Sequence, residues 1–310
     1  MVSVSHIHSS LRKIVVFPMA ASMKTSQHNR SNSVPSAPHP LISQIEEHLQ
    51  RLKSSDSTSS SSSISQQLNG LQDLHGYATQ MLQLPTTQRA LAQGCCKILV
   101  DELLEGSLRI LDICSTSKDA LLQSKESLHE LQSAARRKRT VGEAALTIDA
   151  GKYLSSRKNM KKAIKKAVEI LKKFKKENSS DIGTESLSMI SSLKEAEVVT
   201  LTLLESLLYF VSGSKIQPKQ RRWPMVSMLV QPKRVACDSA NSNTNEFEKV
   251  DETLQSLLSH KPQSGILVED FLNHMENLEL CIEVLEGGIE HLQRHLIRTR
   301  VSLLNIPIKY

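Results

Sequence analysis

"FLNHMENLELCIEVLEGGIEHLQRHLIRTRVSLL" (271–304) spaces its apolar residues alternately four and three apart: Phe271, Met275, Leu278, Ile282, Leu285, Ile289, Leu292, Leu296 and, after Thr299, Leu303. That spacing keeps one side of an α-helix apolar along its whole length, whereas a strand would need alternation at every second residue. The reading is therefore one long helix over 266–304 with a heptad seam. A seam of this kind must be covered, either by other helices of the same chain or by a second copy, and the residues leave both open. Beside it Glu276, Glu279, Glu283, Glu286 and Glu290 form an acidic stripe, and Gly287–Gly288 interrupt the outer side.

The rest of the chain agrees with that helix. Of 310 residues 39 % are hydrophobic but only 3 % aromatic, so leucine carries most of the apolar load. Such a composition favours helices packed on helices over a β-sandwich or an α/β enzyme, and the length suffices for one substantial core. Leu41, Ile42, Ile45, Leu49 and Leu52 repeat with a helical period in 40–54. A serine-rich loop is expected at 54–63, and a second helix over about 64–83 that stops before Pro85. A third helix carries "RALAQGCCKILVDELLEGS", with the preceding "TTQ" as its cap, and a fourth covers about 107–138. Further helices are predicted near 158–176 and 184–212, followed by an irregular, basic, proline-containing loop at 213–245. The fold class read from the sequence is all-α. It comprises a disordered tail over 1–38 and one helical domain over 39–310, a multi-helix bundle closed by the heptad-patterned helix.

Charge is concentrated in one block. The net charge is +7, yet residues 136–176 hold 15 basic and 3 acidic side chains, leaving 24 basic and 29 acidic elsewhere. Within it lies "RKNMKKAIKKAVEILKKFKKEN" (157–178). On a helical wheel Met160, Ala163, Ile164, Ala167, Val168, Ile170, Leu171 and Phe174 share one face. Lys158, Lys161, Lys162, Lys165, Lys166, Lys172, Lys173 and Lys176 share the other. Two readings follow. The lysines are the wet face of a bundle helix, lying beside the acidic stripe of the last helix, or they meet an acidic partner such as calmodulin or an anionic membrane surface. In the membrane reading Trp223, the only tryptophan, adds a second contact from the loop. Nucleic-acid binding is not expected, because no interleaved aromatics or known module accompany the charge.

Other signals exclude more than they assign. Five scattered cysteines form neither a disulfide framework nor a zinc pattern, which points to a reducing compartment. His291 and His295 stand one helical turn apart without an evident third ligand, so no metal is expected. "VVTLTLLESLLYFV" (198–211) is too short to span a bilayer and contains Glu205. "LRKIVVFPMAAS" (11–22) only faintly imitates a signal peptide, and a start at Met19 or Met23 is the alternative reading of this end. "RRKR" (136–139) fits a nuclear-import tag, but basic clusters also complement a helix carboxyl end. Nothing matches a phosphate-binding loop, a dinucleotide fingerprint or a nucleophile elbow. The expectation is a non-enzymatic cytoplasmic protein without cofactors, peripheral to a membrane if the lysines bind lipid.

One short motif in the tail carries a specific partner reading. "RSNSVP" (30–35) sets Arg30 three residues before Ser33, as basophilic kinases require. With phosphate on Ser33, Arg30, Ser31, Ser33 and Pro35 match the Arg-Ser-x-pSer-x-Pro pattern gripped by 14-3-3 proteins.

"RSNSVPSAPHPLISQIEEHLQRLKSS", "LNGLQDLHGYATQMLQLPTTQRAL", "NEFEKVDETLQSLL" and "IRTRVSLLNI" together resemble the plant BYPASS-related family, from about Arg30 to Ile308. The resemblance implies a role in root and shoot development and in restraining a mobile root-derived signal. It brings no agreed biochemical activity and no catalytic residues. Residues 1–29 depart from the family pattern, which supports the later start.

Overall fold

A computed structural model of the protein describes residues 39–55, 60–93, 96–141, 143–178, 188–213, 245–259 and 265–307. The chain divides into Met1–Ala37, which lies outside the described residues, and Pro38–Tyr310. Among the described residues there are eight helices and no strand: α1 (Pro40–Ser54), α2 (Ser61–Gln83), α3 (Pro85–Leu91), α4 (Lys97–Val141), α5 (Glu143–Asn178), α6 (Ser188–Ser212), α7 (Glu246–Ser259) and α8 (Gly265–Leu304).

The heptad seam of α8 is buried within the chain. Phe271, Met275, Leu278, Ile282, Leu285, Ile289, Leu292, Leu296, Thr299 and Leu303 are all inaccessible, covered by α2, α4 and α7. The seam is thus the bundle's own core and is not offered to a second copy. Gly287 and Gly288 do not share one role. A methyl at Gly287 would meet open space, but at Gly288 it would lie 3.0 Å from Leu68 Cδ1, where α2 crosses α8 closely. Gly287→Ala is therefore expected to stabilise by about 1 kcal/mol through helix propensity. Gly288→Val should instead cost about 1–3 kcal/mol by overpacking Leu68. Urea unfolding of the two variants checks the opposite signs.

α6 explains the most apolar stretch of the sequence. It packs on α1, α2, α4 and α5, and residues on nearly all its sides are buried, from Met189 to Val211. A helix apolar all round belongs in the centre of a bundle. No described helix is long and apolar enough to cross a membrane.

Several boundaries differ from those expected. The serine run does not all lie in a loop: Ser60 caps α2 by accepting from the Ser63 N–H at 3.2 Å, so Ser61–Ser63 are helical. α3 begins at Pro85, so "TTQ" lies in its first turn rather than at its cap. It ends at Leu91, and the next helix starts at Lys97. The rest of the expected third helix and the expected fourth are one helix, α4, of 45 residues and about 68 Å. α5 starts at Glu143, well before 158, and folds back along α4 with Ser127 Oγ 2.9 Å from Ser156 Oγ. α7 was not expected as a helix. Asn245 caps it through a reciprocal pair: its Oδ1 accepts from the Glu248 N–H at 2.8 Å, and its own N–H points to Glu248 Oε2 at 3.4 Å.

Polar groups inside the bundle are paired across helices. His75 Nε2 lies 2.8 Å from Thr200 Oγ1, joining α2 to α6, and Thr79 Oγ1 lies 2.9 Å from Thr299 Oγ1, joining α2 to α8. Thr200 and Thr79 also donate to the Ala196 and His75 carbonyls of their own helices. A slip would therefore strand chiefly the His75 ring nitrogen and the Thr299 hydroxyl, which is how each pair favours one axial register.

Candidate functional site

The basic face of α5 is sorted by the packing into an anchor, a groove and an outer side. The anchor is Arg157. Tyr153, Arg157, Met160, Ile164, Val168 and Leu171 follow the helical period that faces the core, and all are buried. Ala163 and Ile170, expected on that face, are exposed, because the contact with α4 and α6 is narrower than the apolar arc.

Arg157 is 2 % exposed and holds three elements together. Its Nε and Nη2 donate to Asp251 of α7 at 3.3 and 3.2 Å, and its Nη1 donates to the Val211 carbonyl near the end of α6 at 2.9 Å. Its guanidinium carbon stands 4.9 Å from the centre of the Phe247 ring. Gly213, at φ +66°, ends α6 beside it; a side chain there would need the left-handed conformation and would crowd Arg157 Nη2 at 3.4 Å. Lys161 Nζ donates to the same Asp251 carboxylate at 3.1 Å, so two cations compensate that one acid. The Tyr153 hydroxyl is buried beside Asp251, and burial followed by the Asp251 charge raises its pKa above the usual phenol range.

Along α5 and against α6 and α7 runs a groove of about 830 Å³. Arg157 lies at its floor, and Lys158, Lys161, Lys162, Lys165 and Lys172 line it with Glu169, Tyr209, Asp251 and Gln255. Lys172 donates to the Tyr209 hydroxyl at 2.8 Å and approaches Glu205 of α6, which also takes Lys175 at 3.0 Å. The hydrogen bond to Tyr209, ahead of the Glu205 charge, raises the Lys172 pKa and keeps the ammonium charged. Lys158, Lys162 and Lys165 make no ion pair among the described residues. Lys166, Lys173 and Lys176 are also exposed, but they lie outside the groove.

The expected pairing of the two stripes is not what forms. The acids of α8 meet α4: Glu283 accepts from Lys125 at 2.9 Å, Glu290 pairs with Lys118, and Glu279 meets His129 at 2.7 Å and Gln132 at 3.0 Å. α4 packs on both α5 and α8 and presents Lys118 and Lys125 in step with Glu290 and Glu283. The lysines of α5 are therefore left without that partner.

Arg30, Ser31, Ser33, Pro35 and Trp223 lie outside the described residues. Within α4, "RRKR" sits near the carboxyl end. Cys114 and Cys281 are buried free thiols; burial pushes both up to about 12, so neither is a thiolate at neutral pH. No group of three His, Cys, Asp or Glu side chains among the described residues is placed to hold a metal.

Comparison with curated proteins and with solved structures finds no match. A family model described as Protein BPS1 matches residues 67–306, from within α2 to the end of α8, and so contains every residue of the groove. The match spans most of the chain and agrees with the resemblance carried by "LNGLQDLHGYATQMLQLPTTQRAL" and "IRTRVSLLNI"; the chain belongs to the BPS1, or BYPASS-related, family, a plant family of unknown function.

Proposed function

We propose that the protein is a non-enzymatic interaction protein of plants that holds an anionic partner in the groove along α5. The carrying observation is that Lys158, Lys162 and Lys165 line a concave site and none of them is in an ion pair among the described residues, with Glu169 the one unpaired carboxylate in the lining. Charges kept unpaired in a groove concentrate field there and attract the opposite sign. Family resemblance supports placing this activity in root and shoot development. Calmodulin is a poor fit, because it would grip the apolar side of a target helix, and Met160, Ile164, Val168 and Leu171 are committed to the core. Contact with an anionic membrane is the second reading. It is favoured by Ile170, 47 % exposed on the outer side of α5 between Lys166 and Lys173. A separate docking point for 14-3-3 proteins, through phosphorylated Ser33, rests on the tail motif alone.

The test is the triple variant Lys158→Ala/Lys162→Ala/Lys165→Ala. Its stability should change by less than about 1 kcal/mol, since exposed unpaired lysines contribute little. Pull-down from plant tissue should lose partners that wild type retains. An unchanged partner list in a folded variant would remove the groove from the account.

A further inference from the structure

The anion that best fits the groove is narrower in kind than any acidic surface. We infer that the groove takes a compact, multiply phosphorylated group, as carried by an inositol polyphosphate or by the headgroup of a polyphosphorylated lipid. The inference rests on the anion-binding reading above and specifies its ligand.

Charge density carries it. Lys158, Lys161, Lys162 and Lys165 fall within eight residues of α5, about 10.5 Å along the axis. An extended acidic peptide brings same-side carboxylates only about every 7 Å, each with one charge. It would set two charges against the three ammonium groups without an ion pair, Lys158, Lys162 and Lys165, with Lys161 already on Asp251. A phosphate monoester carries up to about two charges and three acceptor oxygens, so two or three phosphates on one small ring match the cluster. The groove volume of about 830 Å³ is that of a small-molecule site.

Residue chemistry agrees. The free cations are all lysines, whose rotatable ammonium groups suit phosphate oxygens approaching from several directions. The one arginine at the floor, which would favour a flat carboxylate fork, already has Asp251. Of the two acids in the lining, Asp251 is held by Arg157 and Lys161, leaving only Glu169 to oppose an anion. Gln255 and Tyr209 add neutral hydrogen-bonding groups at the edge.

The experiment is titration calorimetry of the full chain with inositol hexakisphosphate and, separately, a deca-glutamate peptide. Flotation with phosphatidylcholine vesicles doped with either phosphatidylinositol bisphosphate or charge-matched phosphatidylserine accompanies it. Inositol hexakisphosphate should bind more tightly than the peptide. The triple variant Lys158→Ala/Lys162→Ala/Lys165→Ala should weaken it about a hundredfold, at roughly a factor of five per lysine. The variant Lys166→Ala/Lys173→Ala/Lys176→Ala loses the same charge outside the groove and should weaken it by less than about fivefold. Circular dichroism confirms that both stay helical.

The vesicle arm separates the sources. Preference for the bisphosphate vesicles, competed by the soluble hexakisphosphate, assigns the lipid headgroup; soluble binding without flotation assigns the free polyphosphate. Equal flotation with phosphatidylserine, or equal losses in both triple variants, overturns the inference in favour of a diffuse basic surface. Tighter binding of deca-glutamate overturns it while leaving the anion-binding reading intact. If no anion binds and the partner list is also unchanged, both fall.

Discussion

Arg157→Ala is expected to destabilise the protein by about 3–5 kcal/mol, measured by urea unfolding at neutral pH, far more than any other change on the basic face of α5. The reason is what stays behind. Asp251 is nearly enclosed, its side chain 11 % exposed, and in the variant only the half-exposed Lys161 remains to compensate it. The Val211 carbonyl loses its donor and Phe247 its cation. Because these groups belong to α6 and α7, the loss should undo the docking of α7 as well as one ion pair. Surface pairs such as Lys125–Glu283 should cost no more than about 1 kcal/mol each when broken. Adding Asp251→Leu to Arg157→Met should recover part of the loss, since removing both charges also removes the cost of burying them. A cost below about 1 kcal/mol for Arg157→Ala would show that the pair is solvated and that α7 is held by its apolar residues alone.

Arg157 also shows what the sequence made legible and what it hid. The seam of α8 was readable because helical periodicity is local: every seam residue from Phe271 to Leu303 is buried. The same test finds Arg157, which stands in register with Tyr153, Met160 and Ile164; counted with the lysines as charge, it was missed. α7 had a visible sign too, the capping box formed by Asn245 and Glu248 at the start of the apolar series Phe247, Val250 and Leu254. The partner of the acidic stripe was not readable in this way. Which helix lies beside α8 is set by packing across more than a hundred residues, and lysines on α4 and α5 satisfy a local charge pattern equally well. The groove depends on that outcome, because its lysines are free only where α4 has taken the acids.

The stability of the protein should change with pH through two groups of opposite slope, buried His75 and half-buried Glu197. Burial, with a smaller effect from His295, lowers the pKa of His75 from 6.5 to about 4. Between those values the unfolded chain binds a proton that the folded one refuses, so stability falls as the pH drops, by roughly 3 kcal/mol in all. Glu197 works in the other direction. Its carboxyl packs against α4 at Gly106, where a methyl would come within 2.4 Å of Oε2, and burial raises its pKa from 4.5 to about 8 despite Lys194 and Arg109 nearby. There the folded state keeps a proton that the unfolded state has lost, so stability falls as the pH rises from 4.5 to 8. From pH 4.5 to 6.5 the two slopes cancel, and wild type should show a plateau. Above 6.5 only Glu197 remains, with a loss of roughly 2 kcal/mol by pH 8. On the acid side Glu279, held below the usual carboxylate range by Gln132 and His129, adds to the loss. Glu197→Gln keeps the shape and removes the titration. It should match wild type near pH 4.5, exceed it by roughly 4 kcal/mol at pH 8, and turn the plateau into a rise that ends near pH 6.5. Urea melts of both proteins at intervals across this range decide it. Parallel curves for wild type and variant would mean that the carboxyl ionises freely in the folded state, with water reaching it beside Gly106.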